Sequence, residues 1–152
     1  LEIVLVEHRA LARWGQSRLL ADSGQLFDVP DMETLVGLPA FEAEDSETQV
    51  LIEGYRQFQA RAQSVGDSVD LLSLSPRGAW TLRLASGTDV VLGRAEALPR
   101  LERFFAALPE LMRAQSRPLL RADLRYANGF ALLWAEPPAE AAGATAAPRQ
   151  NS

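Results

Sequence analysis

Nucleophilic catalysis near neutral pH needs a base beside the nucleophile, and the single imidazole of this chain is His8. His8 follows Glu7 at the end of an alternating apolar run, and no Gly-x-Ser-x-Gly elbow occurs. It reads as a strand-end or surface histidine. With no cysteine, thiolate nucleophiles, thiolate metal sites and disulfides are excluded. The acidic run Glu42-Ala43-Glu44-Asp45 lacks the EF-hand pattern, and one histidine supplies no metal-ligand spacing. Gly87 and Gly93 belong to turns, and no phosphate-cradling glycine loop is present. Carboxylate pairs for glycoside hydrolysis exist in any acidic chain, and nothing singles one out. The residues point away from catalysis: no catalytic or metal site, no cofactor and no small-molecule substrate is called for.

What remains is recognition chemistry, and it concentrates late in the chain. The stretch Arg121-Ala-Asp-Leu-Arg-Tyr-Ala-Asn-Gly-Phe-Ala-Leu-Leu-Trp134 holds Arg125, Tyr126 and Trp134, residue types that dominate interface hot spots. Two β segments, Leu119–Tyr126 and Phe130–Trp134, flank Ala127-Asn128-Gly129, and Asn-Gly between strand-like runs is a hairpin signal. After Trp134 the chain turns to Ala, Pro and Glu, so residues 135–152 read as a disordered tail and Phe130–Trp134 as the last strand. A last strand that nothing later can cover is a candidate sheet edge with unpaired N–H and C=O groups. Tyr126 and Trp134 could equally close the core of that hairpin. Trp80, on an alternating strand, reads as core; Trp14 either covers one end of the sheet or is partly exposed; Arg77, on a tight turn, reads as a solvated surface residue.

The elements that must position these residues follow from periodicity. Leu1–Glu7, Arg9–Trp14, Leu19–Ala21 and Gln25–Val29 read as short strands, with Asp22-Ser-Gly24 as a turn. Asp28–Glu47 reads as a connection containing Pro30, Gly37 and Pro39, its acidic run a solvated loop. Ser46-Glu-Thr-Gln49 has the form of a capping box, opening a helix with Leu51, Tyr55, Phe58, Ala62 and Val65 on one face and Gly66 as terminator. A meander follows at Val69–Leu74, Ala79–Ala85 and Asp89–Leu92, turned by Ser75-Pro-Arg-Gly78 and Ser86-Gly87. The second helix spans about Ala95–Met112, with Leu98, Leu101, Phe104, Phe105, Leu108 and Met112 as its stripe. Pro99 falls in or near the first turn, and Pro109 should kink or shorten the helix.

The whole 152 residues fit one domain, here 1–134, with a sizeable core. A net charge of −5 with dispersed basic residues argues against nucleic acid and anionic membrane surfaces as main partners. All 15 basic residues are Arg, which we read as codon bias in a GC-rich genome. No apolar stretch reaches the ~18 residues of a membrane span. The chain starts inside an alternating run without an initiator Met and reads as a fragment, so absent targeting signals carry no information.

The segment Asp123–Trp134 resembles the C-terminal signature of the bacterial cell-division family FtsQ/DivIB. Glu7-His-Arg-Ala-Leu-Ala-Arg-Trp-Gly15, Leu74-Ser-Pro-Arg-Gly-Ala-Trp80, Leu92-Gly-Arg94 and Arg100-Leu-Glu-Arg-Phe104 agree with it in order and spacing. The resemblance covers residues 1–134 and implies an α+β fold: a mixed, curved, multi-stranded β-sheet with two helices packed on one face and the C-terminal strand at the sheet edge. It also implies the periplasmic β domain of a single-pass inner-membrane protein at the division septum. The membrane helix and the POTRA domain of such proteins are absent from this sequence. The implied role is a non-enzymatic divisome scaffold that binds the periplasmic part of FtsB, with FtsL, by strand addition to the last strand. That recruits and regulates septal wall synthesis together with other division proteins. The implied partner-binding residues are Arg77, Arg125, Tyr126, Asn128, Gly129, Phe130, Leu132 and Trp134. Arg77 and Arg125 would meet partner carboxylates, and Gly129 would admit a close backbone. Asn128 and Phe130 stand where other members carry Ser and a small residue, and Leu133 where some carry Gly. The alternative is a peptidoglycan-binding or cell-wall-enzyme regulatory module, which convergent carboxylates in a deep pocket would favour.

Overall fold

The computed structural model describes residues 9–29 and 37–136. Among them nine strands form: β1 (Ala10–Trp14), β2 (Arg18–Ala21), β3 (Leu26–Asp28), β4 (Ala40–Glu42), β5 (Val69–Leu74), β6 (Trp80–Leu84), β7 (Asp89–Gly93), β8 (Leu119–Asp123) and β9 (Ala131–Trp134). Two helices, α1 (Thr48–Ser64) and α2 (Ala97–Ala114), complete the fold. The strands make one open sheet in the order β3-β2-β1-β4-β5-β6-β7-β8-β9. The expected strand Leu1–Glu7, His8 and the tail from residue 137 onward lie outside the described residues.

Parallel neighbours cannot be joined by a tight turn, and this decides where the helices go. β4 runs parallel to β5, and β7 runs parallel to β8. The helices α1 and α2 are the respective crossovers. β5, β6 and β7 alternate antiparallel, so both crossovers start in the same direction and step the same way across the sheet. Crossovers of one hand then put both helices on one face. One continuous core lies beneath them: Leu51 and Phe58 from α1, Leu101 and Phe104 from α2, and Leu72, Leu82, Leu92 and Ala122 from the strands.

The α1 stripe is close to the periodicity expected, with Ile52 buried as well and Tyr55 and Val65 only half-buried. Fully burying a Leu or Phe side chain stabilises by about 1.5–3 kcal/mol, so this face, rather than the ends, holds the helix. The expected capping box is not formed. A 3-10 turn, Asp45–Glu47, precedes the helix, its N-cap is Glu47, and no side chain caps it. The C-terminus closes as the sequence indicates: Asp67 N–H donates to the Ala62 carbonyl and Gly66 N–H to the Gln63 carbonyl, a Schellman pair. The Pro99 expectation holds, but α2 continues five residues beyond Pro109. Met112 leaves the stripe and is 42% exposed.

Further readings change. The connection Asp28–Glu47 contains β4, which lies in the middle of the sheet between β1 and β5 with Phe41 fully buried. Too few residues alternate over Ala40–Glu42 to show a period. The acidic run is not simply solvated: Asp45 accepts hydrogen bonds from Trp14 Nε1 (3.1 Å) and from both Arg18 Nη atoms (2.9 and 2.7 Å). That bond satisfies the indole N–H and lets Trp14 sit fully in the core, which resolves its two readings. Trp80 is half-buried; its ring lies edge-on to Phe58 and over α1 at Gly54, where any Cβ would collide with it. The last hairpin, finally, is not tight. β8 ends at Asp123 and β9 begins at Ala131, so residues 124–130 form a loop rather than an Asn-Gly turn.

Candidate functional site

The last strand is the terminal strand of the sheet, paired only with β8 among the described residues. Ala135 N–H donates to the Pro118 carbonyl (2.8 Å). By strand alternation the N–H groups of Leu132 and Trp134 then face away from β8, along the open edge. Side chains alternate across the sheet: Leu132 and Trp134 pack against the core, while Ala131 is exposed and Leu133 is 55% exposed on the helix-free face.

The loop 124–130 is tied at both ends and open between. Leu124 is buried and its N–H donates to the Val91 carbonyl (2.8 Å). Phe130 packs edge-on against Phe104 of α2, centroids 5.6 Å apart. The exposed middle carries Tyr126, 56% exposed, with Ala127, Asn128 and Gly129. With Phe130 and Ala131 these residues line a shallow hollow of about 480 Å³.

Arg125 is engaged within its own chain. Its Nη2 and Nε donate to the two carboxylate oxygens of Asp123 (2.7 and 2.9 Å), and its backbone N–H donates to the same carboxylate (3.1 Å). The Asp123 side chain is only 11% exposed. The Arg125 guanidinium, by direct hydrogen bonding, holds that carboxyl below the usual carboxylate range, against the opposing effect of burial. The Arg125 stem lies on Gly93, which has a φ of +83°; a Cβ there would come within 3.0 Å of Arg125 Cγ and of Arg100 Nη1. Arg100 Nη1 in turn donates to the Leu92 carbonyl (2.8 Å).

Of the residues implied by resemblance, Arg125, Tyr126, Asn128 and Gly129 therefore share one exposed loop, and Phe130, Leu132 and Trp134 turn inward from the same hairpin. Arg77 is exposed on the β5–β6 turn, at the same end of the sheet but three to four strand spacings away, roughly 15–20 Å. Asp123 already occupies the Nε–Nη2 side of the Arg125 guanidinium, whose side chain remains 57% exposed. Asp123, Gly93 and Arg100 were not singled out from sequence. The signal for the first was present: Asp-x-Arg at a strand end puts both side chains on one side.

Residues 12–125 match the family model described as cell division protein FtsQ/DivIB, C-terminal. β9 and most of its loop lie beyond that match. The chain is 42% identical over 130 residues to the cell division protein FtsQ of Xanthomonas campestris, covering 86% of this chain and 46% of that protein. It is 36% identical to the FtsQ proteins of a Thioalkalivibrio species and of Allochromatium vinosum, over 90% and 89% of this chain and 57% and 54% of theirs. The chain thus spans about half the length of the curated relatives it matches. With its open mixed sheet, two crossover helices and C-terminal edge strand, the chain belongs to the C-terminal domain family of the cell-division proteins FtsQ and DivIB.

Proposed function

We propose that this chain is the periplasmic docking domain of a membrane-anchored divisome protein and that it acts without catalysis. It binds the periplasmic segment of FtsB, with FtsL, by strand addition along β9, and so recruits and regulates septal wall synthesis. The observation that carries this reading is the open edge of β9. Strand addition draws affinity from backbone N–H and C=O groups and selectivity from side chains at alternate positions. The outward N–H groups of Leu132 and Trp134 supply the first, and Leu133 and the neighbouring Tyr126 supply the second.

A peptidoglycan-binding or enzyme-regulating module would call for convergent carboxylates in a deep pocket. On the helix-free face Glu42 and Asp89 line a hollow of only about 230 Å³, and Asp89 is held there by Arg83 Nε (2.7 Å). That arrangement favours docking through the edge.

Calorimetry of this domain with the purified periplasmic segment of FtsB tests the proposal. Tyr126→Ala is expected to weaken binding by about 2 kcal/mol or more while leaving the unfolding midpoint unchanged. Trp134→Ala does not separate docking from folding, because Trp134 also packs on the core. Unchanged binding in Tyr126→Ala and in Leu133→Lys, with both folded, would move the site off this edge.

A further inference from the structure

We propose that Asp123 is a positioning residue for the β9 docking edge: its carboxylate clamps Arg125 onto Gly93 and thereby fixes the loop that presents Tyr126 and launches the last strand. The inference rests on docking through β9 and adds a residue that need not touch the partner. The carboxylate takes three hydrogen bonds from one residue, two from the guanidinium and one from the backbone N–H. The backbone of Arg125 is thus fixed at the point where the chain leaves β8. The stem of the same residue is pressed on Gly93, in a position that any side chain at 93 would take from it. Arg100 Nη1 comes as close to that same Cβ position at Gly93 while bonded to the Leu92 carbonyl, so β7 and α2 both border the clamp.

The rest of the loop has much less to hold it. Between Leu124 and Phe130, both anchored to the core, residues 126–129 are exposed. Arg125 is therefore the only residue between those two anchors for which the structure shows side-chain bonds back to the sheet, among the described residues. A strand that is added to an edge binds more tightly when the edge is already in its bound geometry, since ordering costs are then not charged against binding. The clamp supplies that preorganisation where the chain leaves β8, at the residue that pairs with Ala131, the first of β9.

Hydrogen exchange and calorimetry on the same samples test this. In Asp123→Asn, which keeps the shape but loses the charge-assisted fork, amides of 125–131 should exchange about tenfold faster or more, with α1 and β5–β7 unchanged. Binding of the FtsB segment should weaken about fivefold or more. If Asp123 acts through Arg125, the double variant Asp123→Asn/Arg125→Ala should be no weaker in binding than Arg125→Ala alone. A loop that exchanges at the wild-type rate in Asp123→Asn overturns the proposal whether or not a partner binds. So does a rise in exchange spread over the whole domain, which would mark Asp123 as a general stability residue. Wild-type protein that fails to bind the FtsB segment would instead overturn the docking reading, and loop exchange would still decide the role of Asp123.

Discussion

The same three atoms of Asp123, two oxygens and the carbon that joins them, connect burial, charge and loop geometry. Arg125 lowers the carboxyl's native pKa, so its contribution to stability is fully present above the unfolded carboxylate range and is lost as pH falls through the lowered native value. Wild type should therefore exceed Asp123→Asn in stability by a constant margin above about pH 5, and the margin should shrink below about pH 4. Urea unfolding of both proteins across that range checks this; a margin that grows on acidification would mean that the carboxyl is raised, not lowered. At this scale the sequence was partly legible. Tyr126 is exposed as a hot-spot candidate should be, and Trp80 packs at the core. The Arg125–Asp123 bond was not legible, because composition reports that a guanidinium is present and says nothing of which neighbouring carboxylate it meets. Asp45 illustrates the same gap, since an acidic run reads as solvated until Arg18 and Trp14 are found across from it.

Elements whose period extends over several turns or residues were readable, and those set by tertiary neighbours were not. The meander strands β5–β7 form where the sequence places them, with β6 alternating as expected, and α1 and α2 follow their stripes apart from Met112. β4 escaped because three residues cannot display a period of two, and it exists only because β1 and β5 offer parallel edges on either side. The capping box failed for a related reason: the 3-10 turn that positions Asp45 under Trp14 and Arg18 takes up Ser46, which would have been its N-cap. β4 is nevertheless central to stability. Phe41 is wholly buried and meets Tyr55 of α1 at 5.2 Å, so this short strand joins the sheet to the first crossover helix. Phe41→Ala should cost about 3–5 kcal/mol by denaturant unfolding. A loss below about 1 kcal/mol would mean that β4 is dispensable and that β1 and β5 hold together without it.

Among the described residues the sheet has two edges, and they are not equivalent. β3 is three residues long, and short edge strands offer little to pair with; its Phe27 is 37% exposed. β9 is longer, with outward N–H groups at Leu132 and Trp134 and an exposed Leu133 beside them. The sequence indicated this edge from the loss of apolar residues after Trp134, whereas the loop that shapes it needed the fold. An open edge pairs with whatever strand is available, and in a purified sample that is a second copy. Four residues bury too little surface for a stable dimer, which typically needs well over 1,000 Å² in all, roughly. The domain should therefore sediment as a monomer at about micromolar concentration and associate reversibly only towards about millimolar. Because edge lysines oppose strand pairing, Leu133→Lys should abolish that association, and the FtsB segment should compete with it in wild type. Competition is the discriminating result: self-association and partner binding that exclude one another share β9. Association that survives both Leu133→Lys and saturating FtsB segment would assign it to another surface, with β3 the next to test by the same substitution at Phe27.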